Sequence, residues 1–184
     1  MLKTEQINCI SFPYESNEEF EISYGYADTK FGEVLIGLLE PNKICFLHFI
    51  QNKAAGLNNL KQCWPKAVYT EDSVLATKTV NAIFGKDDGG TMTLCLTGSE
   101  FQQSVYKALL KIPFGEQFTY SDVAELLGKP SAVRPVANAV GKNDIAVVIP
   151  CHRVISKSGS KFKYRFGSQI KQKLLEYESA NDTF

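Results

Sequence analysis

The sequence lacks the features that mark secreted, membrane-spanning and metal-cluster proteins. Its five cysteines are an odd number, are widely scattered and form no Cys-x-x-Cys pair, which argues against a disulfide framework or a zinc cluster and for a reducing compartment. The longest apolar runs, near residues 44–50 and 145–149, are far shorter than the roughly 20 residues that span a bilayer. Residues 1–5 contain an acid and no apolar run, so no secretory signal is visible. We therefore expect a soluble intracellular protein, cytoplasmic in a bacterium and nuclear in a eukaryote.

The chain also has no net charge, yet its charges are unevenly distributed. Residues 1–40 hold eight acidic and two basic side chains, whereas residues 129–173 hold ten basic side chains and a single acid, Asp144. A basic stretch of this kind is typical of phosphate binding, and the alternative is a solvated surface. The remaining composition, 44% hydrophobic and 22% charged over 184 residues, is that of a globular protein with one domain or two small ones.

Alternating residues and turn signals predict a three-stranded antiparallel meander in the first half, followed by helices. The expected elements are strands at 20–24, 33–39, 44–50 and 91–97 and helices at 57–64 and 73–84. Residues 86–90 form the best linker candidate in the chain. We therefore expect an N-terminal strand-rich domain at residues 1–90 and a C-terminal domain at residues 91–184.

The second half, from about Gly98, is predicted to be mostly helical. The expected helices are one that Ser99 precedes, one at 121–127 with Ser121 as N-cap, one that Ser131 caps and that ends at Gly141, and one at 168–178 with Ile170, Leu174 and Leu175 inward and Lys171 and Lys173 outward. The middle two have helix-turn-helix form, although many such hairpins bind nothing. The fold class is therefore α/β (α+β), with an N-terminal antiparallel sheet and helices and a mostly helical second domain.

One segment carries nucleophilic chemistry. The apolar run at 145–149 predicts a buried extended segment that delivers Cys151, His152 and Arg153 into the interior. A cysteine is a nucleophile as its thiolate, so it needs a base or a positive charge beside it, and His152 and Arg153 offer both. The alternative interpretation is an ordinary buried thiol beside a polar neighbour.

The motifs of residues 98–178 resemble those of the O6-alkylguanine-DNA alkyltransferases, suicide repair proteins that remove alkyl groups from guanine. The matching motifs are Phe101-Gln102-Gln103-Ser104-Val105-Tyr106, Ile112-Pro113-Phe114-Gly115, Thr119-Tyr120, Ala132-Val133-Arg134, Asn143, Ile149-Pro150-Cys151-His152-Arg153-Val154, Tyr164-Arg165-Phe166-Gly167 and Leu174-Leu175-Glu176-Tyr177-Glu178. The first 97 residues resemble the family only in their strand-rich layout. The resemblance implies irreversible, stoichiometric transfer of the alkyl group from O6-alkylguanine, and less efficiently from O4-alkylthymine, to the protein.

The resemblance also implies catalytic roles. Cys151 would be the acceptor, His152 a base acting through a bound water, and Glu178 the carboxylate that orients His152. Asn143 would brace the turn around the active site. Tyr120 would crowd the target phosphate, help to rotate the nucleotide and protonate the departing guanine.

The implied partner is double-stranded DNA, bound in the minor groove by a monomer. Arg134 would enter the base stack in place of the flipped nucleotide, because flipping costs a few kcal/mol that such a contact offsets. The other DNA-contacting candidates are Tyr120, Ser131, Ala132, Lys142 and Arg153.

The substrate pocket candidates are Val154, Tyr164, Ala146 and Phe166. Relatives that accept bulky alkyl groups often have proline and glycine at the last two positions, so we expect Phe166 to narrow the pocket and to favour methyl over benzyl groups. Pro135 replaces a frequent alanine, which the first turn of a helix tolerates. The cysteines and His48 of the first half lack ligand spacing, so we expect no zinc, and we expect no cofactor.

Three other classes of protein fit parts of the pattern. A non-catalytic lesion-binding relative would lack the acceptor Cys151. A cysteine hydrolase would use the Cys–His pair in an open cleft and would have no need of Tyr120, Arg134 and a basic face. A transcription regulator would need a dimer interface or an effector domain, and the second half of the chain offers no obvious one. Some relatives carry a fused methyl-sensing regulator with a four-cysteine zinc site, for which we expect no room in 184 residues.

Overall fold

The computed structural model describes residues 7–12, 19–85, 90–157 and 164–181. It divides the chain into two units, which meet between Thr97 and Gly98. The division falls after residue 97 and not after residue 90, where we expected it, because the strand that follows residue 90 pairs within the sheet of the first unit. Residues 86–89 of the expected linker lie outside the described part of the chain.

The first unit is built on one six-stranded sheet with the order β1-β6-β4-β3-β2-β5. Its strands are β1 (Ile7–Ser11), β2 (Phe20–Thr29), β3 (Gly32–Leu39), β4 (Lys43–Phe49), β5 (Ala67–Glu71) and β6 (Met92–Leu96). The antiparallel meander is confirmed, since β3 pairs antiparallel with both β2 and β4. The sheet as a whole is mixed rather than antiparallel, because β1 pairs parallel with β6, β6 with β4, and β5 with β2.

Two helices of the first unit follow β4 and β5. They are α1 (Lys53–Cys63) and α2 (Ser73–Ile83). The second was predicted correctly, whereas α1 begins four residues before the expected start at 57, because the Asn52 side chain accepts a hydrogen bond from Ala55 N at 2.9 Å and caps the helix there. The hydrophobic core of the sheet includes Ile22, Leu35, Phe46 and Trp64, all fully or almost fully buried.

The second unit is mostly helical, as predicted. Its elements are α3 (Glu100–Leu109), β7 (Phe118–Thr119), α4 (Tyr120–Leu126), α5 (Val133–Gly141), β8 (Val154–Ile155) and α6 (Ser168–Ala180), with β7 and β8 paired parallel. Ser99 caps α3 through a capping box with Gln102, as its position predicts.

The helix-turn-helix consists of α4 and α5, and its caps differ from the expected ones. Thr119 and not Ser121 caps α4, because Thr119 and Asp122 form a capping box that starts the helix two residues earlier. Ala132 stands at the N-cap position of α5, so Ser131 gives that helix no side-chain cap. Gly128 turns the chain between the helices with a φ of +67°.

No helix among the described residues is long and apolar enough to cross a membrane.

Candidate active site

A tight turn between α5 and Cys151 is organised around the side chain of Asn143. This side chain is buried, and its amide nitrogen donates to Ile145 O at 3.2 Å, to Ile149 O at 3.0 Å and to Cys151 Sγ at 3.1 Å. Its oxygen accepts a hydrogen bond from Ile145 N at 3.0 Å. One amide therefore fixes both ends of the turn and the sulfur together.

The apolar run that leads to Cys151 forms this turn instead of the extended segment that its composition predicts. Val148 N donates to Ala146 O at 2.7 Å, and Ile149 N donates to Ile145 O at 3.1 Å. Val147 adopts a φ of +69°, which is costly for a β-branched residue and persists only where the surroundings enforce it. The segment is buried as expected, but it is held by the hydrogen bonds of Asn143 rather than by a sheet.

Cys151 begins a short 3₁₀ turn, Cys151–Arg153, and is only 5% exposed. Burial raises the pKa of its thiol above the ordinary value, because the charged thiolate loses solvation. The hydrogen bond from Asn143, that of Tyr164 and the positive charge of Lys171 act in the opposite direction. The Cys151 thiol thus lies in a buried site, where a thiolate would depend on the protein for stabilisation.

His152, the residue after Cys151, forms a buried pair with Glu178. His152 Nε2 lies 2.8 Å from Glu178 Oε1, and both side chains are almost completely inaccessible. Burial would raise the pKa of Glu178, but hydrogen bonds from His152 and Arg153 together with their charges lower it to about 2. The pKa of His152 is lowered, chiefly by burial. His152 Nδ1 is buried and has no hydrogen-bond partner among the described residues.

Arg153 is not placed to contact DNA, which corrects our prediction. It is 7% exposed. Its Nε donates to Glu178 Oε2 at 2.8 Å, its Nη2 donates to Glu178 Oε1 at 3.1 Å and its Nη1 donates to Ile112 O at 2.7 Å. The physical reason is the carboxylate of Glu178, which is buried away from solvent. The guanidinium of Arg153 neutralises this carboxylate through a bidentate contact.

Lys171 also differs from its predicted position, because it points inward and is 2% exposed. Its Nζ donates to Val154 O at 2.6 Å and lies 6.0 Å from the ring centroid of Tyr164. The sequence carried the signal for this burial: Lys171 shares the i, i+3, i+4, i+7 stripe with Leu174, Leu175 and Glu178.

Of the four expected pocket residues, Tyr164 lies nearest to Cys151 Sγ by its recorded contacts, and Phe166 packs on Tyr164. The Tyr164 hydroxyl lies 4.0 Å from Cys151 Sγ, and the rings of Tyr164 and Phe166 pack edge to face with centroids 5.3 Å apart. Ala146 and Val154 are fully buried, and Val154 offers its carbonyl to Lys171.

Arg165, which the analysis of the sequence did not assign to the site, ties this pocket segment to the turn of Asn143. Its Nη1 donates to Asp144 Oδ1 at 2.7 Å and to Asn143 O at 3.4 Å. Asp144 at this position and Arg165 twenty-one residues later give no local pattern, so the pair could not be found without the fold.

Tyr120 lies at the first position of α4 and is half-buried. Burial raises the pKa of its hydroxyl, and a charge on Cys151 raises it further. The phenol therefore keeps its proton over the physiological range.

The remaining DNA-contacting candidates lie on the helix-turn-helix, apart from the buried residues. Arg134, Ser131 and Lys142 are exposed, and Ala132 is half-buried. Pro135 stands in the first turn of α5, where its missing N–H has no helical acceptor. Of the ten basic residues at 129–173, Arg153 and Lys171 are buried, and Lys161 and Lys163 lie outside the described residues. The described part of this stretch therefore exposes fewer basic side chains than the sequence alone suggests.

Within the described ranges, no group of three or more His, Cys, Asp or Glu side chains is arranged to hold a metal ion.

Comparison with known proteins gives a consistent result. The family model for the 6-O-methylguanine DNA methyltransferase DNA-binding domain matches residues 100–180. The bifunctional transcriptional activator/DNA repair enzyme Ada of Escherichia coli is 34% identical over 169 residues, which are 90% of this chain and 48% of Ada. The methylated-DNA–protein-cysteine methyltransferase of Methanosarcina barkeri is 44% identical over 107 residues, 58% of this chain and 68% of that protein.

A solved structure extends the likeness to most of the chain. The crystal structure of Mycobacterium tuberculosis OGT in complex with DNA superposes with a TM-score of 0.68 at 32% identity and covers 86% of this chain and 93% of that one. The chain thus belongs to the O6-methylguanine-DNA methyltransferase family, as its motifs predicted. It spans about half the length of the E. coli relative that it matches.

Proposed function

We propose that this protein repairs DNA by transferring the alkyl group of O6-alkylguanine, and less efficiently of O4-alkylthymine, to its own Cys151. The observation that carries the proposal is the buried Cys151 sulfur held by Asn143 Nδ2 at 3.1 Å, next to the His152–Glu178 pair. The names of relatives such as the M. barkeri methyltransferase support the same activity.

The reaction is a single displacement at the alkyl carbon. The thiolate of Cys151 forms the sulfur–carbon bond as the bond between O6 and that carbon breaks. The electron pair of the broken bond stays on O6, and the guanine, which remains attached to its deoxyribose, takes a proton and becomes an unmodified neutral base of the DNA. The product is a thioether that no group of the site can hydrolyse, so each molecule reacts once.

Proton transfers at both ends of this displacement have candidate groups. His152 accepts the thiol proton, directly or through a bound water, and Nδ1 is its ring nitrogen without a protein partner. Glu178 holds the imidazole from the other side at 2.8 Å. Tyr120, whose pKa is raised by burial, is a proton donor for the departing guanine.

DNA is the expected partner, and the lesion is expected to leave the duplex before it reacts. A buried sulfur cannot reach O6 inside a base stack, so the nucleotide must flip into the site. We propose that a monomer binds the minor groove of double-stranded DNA with α5, and that Arg134 fills the gap left in the stack. Ser131, Ala132 and Lys142 would contact the backbone. We place this activity inside the cell, in the cytoplasm of a bacterium or the nucleus of a eukaryote, since its substrate is DNA.

A cysteine hydrolase fits the site less well than an alkyltransferase. A hydrolase must admit water to its thioester intermediate at every turnover, whereas Cys151 is 5% exposed and lies against the Tyr164 hydroxyl. A dry pocket suits a displacement that ends at a stable thioether.

Peptide mapping tests the proposal at the level of the residue. After incubation with a duplex containing one O6-methylguanine, we expect the added methyl group on the peptide with Cys151. Peptides with Cys45 and Cys95, which are also buried thiols, are matched controls and should stay unmodified. Methyl groups spread over several cysteines, or found on none, would contradict the proposal.

A further inference from the structure

Arg153 is a buried charged residue that contacts Glu178 and to which the proposed mechanism gives no task. We propose that Arg153 is a positioning residue for alkyl transfer: it clamps Glu178 so that His152 keeps a hydrogen on Nε2 and presents Nδ1 as the proton acceptor. The inference rests on the proposed function for its consequence on rate, but not for its statement about His152.

The Glu178 carboxylate receives four donors, and two of them come from one guanidinium. Oε1 accepts from His152 Nε2 at 2.8 Å and from Arg153 Nη2 at 3.1 Å. Oε2 accepts from Arg153 Nε at 2.8 Å and from Gly115 N at 3.4 Å. The bidentate contact fixes both the position and the rotation of the carboxylate.

Arg153 is itself fixed from two further directions. Its Nη1 donates to Ile112 O at 2.7 Å, and its guanidinium carbon lies 5.6 Å from the centroid of the Phe114 ring. The residue therefore connects the segment after α3 to α6 through Glu178. A lysine has the charge but a single donor centre, so it can reproduce only part of this geometry.

This geometry selects one tautomer of His152. An ionised carboxylate only accepts hydrogen bonds, so the imidazole nitrogen beside Glu178 must carry the hydrogen. In the neutral ring, Nδ1 then keeps its lone pair, and Nδ1 is the nitrogen without a hydrogen-bond partner among the described residues. An ionised Glu178 that Arg153 holds in place therefore leaves Nδ1 as the basic nitrogen of His152.

Arg153 also opposes protonation of His152. Among the described residues, the charged groups that act on this imidazole are Glu178 and Lys171 on α6 and Arg153 on its own turn. Burial lowers the pKa of His152, Glu178 raises it, and Arg153 and Lys171 lower it. Without Arg153 the buried carboxylate would draw a proton onto His152, and a doubly protonated ring accepts nothing.

Nitrogen-15 spectroscopy of the imidazoles tests the clamp directly in the intact protein. The chain has two histidines, so a His48→Gln variant assigns both. We expect neutral His152 with its hydrogen on Nε2 throughout the neutral pH range. In Arg153→Gln we expect a charged or tautomerically mixed His152, and in Arg153→Lys an intermediate state. Lys107→Gln removes an exposed charge from α3 and should leave the spectrum of His152 as in the wild type.

Transfer kinetics on O6-methylguanine duplex supply the second readout. We expect Arg153→Gln to slow transfer at neutral pH by about 10- to 100-fold, which is less than the roughly 10²- to 10⁴-fold contribution of a general base itself because His152 is retained. We also expect the pH profile to move to higher pH and Arg153→Lys to rescue transfer in part. A wild-type tautomer and an unchanged pH profile in a less stable Arg153→Gln would overturn the proposal. If that variant does not fold, a hydrogen on Nδ1 in the wild type would overturn it alone. Failure of wild-type transfer with the expected His152 spectrum would refute the proposed function and leave the clamp intact.

Discussion

Single polar side chains hold the reactive centre, and Asn143 illustrates how much one amide can do. It bonds two carbonyls and the sulfur at once, at 3.0–3.2 Å. Its donors compensate for a turn that burial and the positive φ of Val147 make costly. The reactivity of the thiol and the local stability of the turn therefore depend on the same residue.

We predict that Asn143→Ala raises the pKa of Cys151 and slows alkyl transfer at neutral pH. The amide hydrogen bond lowers the pKa of the thiol, so its loss moves the rise of the pH–rate profile to higher pH. The carbonyls of Ile145 and Ile149 also lose a donor, which costs about 1–3 kcal/mol for a buried polar group. Single-turnover kinetics across pH and a thermal melt measure the two effects. A slower variant with an unmoved profile would mean that Asn143 acts on the fold alone.

The lowered pKa of Glu178 makes the stability of the folded protein depend on pH in the acid range. Its folded-state pKa is lowered to about 2, so the unfolded chain binds more protons as the pH falls below the ordinary carboxyl range. The contribution of Glu178 is present above that range and is lost as the pH falls towards 2. We expect Glu178→Gln to be less stable at neutral pH and to approach the wild type near pH 2. Calorimetric melts at a series of pH values test this, and a constant difference at all pH values would contradict it.

We expect Phe166 to limit the size of the alkyl group that the site accepts. Its ring packs against Tyr164, which lies 4.0 Å from the sulfur. We expect Phe166→Gly to increase the rate with O6-benzylguanine more than the rate with O6-methylguanine, both presented in the same duplex. Phe101→Gly, a half-buried aromatic of α3, controls for loss of packing. Equal benzyl rates in the wild type and in Phe166→Gly would show that this ring does not limit the pocket.

At the scale of elements, patterns that depend on neighbouring residues were predictable and patterns that depend on distant partners were not. The start of β2 alternates, and β3 and β4 are apolar runs separated by clear turns, so the sequence predicted their meander. The five-residue strands β1 and β5 lack such a signal, and they form because β6 and β2 offer parallel partners far along the chain. The Cys–His pair and Glu178 were found through motifs, and the burial of Lys171 could have been predicted from its spacing to Leu174, Leu175 and Glu178. The contacts of Arg153 with Glu178 required the fold.

Gly25 allows β2 to lie close against the start of α2, because glycine has no side chain. A Cβ added at Gly25 would lie 2.6 Å from Ala76 Cβ and 2.9 Å from Asp72 O. We expect Gly25→Ala to destabilise the protein by about 1–3 kcal/mol, as overpacking does. Val74→Ala on the same helix is the control, since Val74 is 82% exposed. Chemical denaturation measures both, and equal stability of Gly25→Ala and the wild type would contradict this packing.

For the molecule as a whole, the zero net charge conceals an uneven distribution of charge along the chain. The acidic first forty residues and the basic 129–173 stretch cancel in the sum. Within the basic stretch, Arg153 and Lys171 serve the interior of the site, and Arg165 binds Asp144. The exposed basic residues that remain among the described ones of this stretch are Lys129, Arg134, Lys142, Lys157 and Lys173. We therefore base the DNA-binding proposal on the position of Arg134 and Lys142 on the helix-turn-helix rather than on total charge.

The number of methyl groups gained per chain tests directly whether Cys151 accepts one alkyl group and reacts only once. Intact mass is measured after titration with a duplex that contains one O6-methylguanine, beside a Cys151→Ala variant. The account predicts a gain of one methyl group per chain that stops at one equivalent, whatever the excess of duplex, and no gain in the variant. Continued consumption of lesions with no gain in mass would contradict it, because the protein would then turn over as an ordinary enzyme. Tight binding of the lesion with neither gain nor consumption would contradict it equally, because Cys151 would then not be an acceptor.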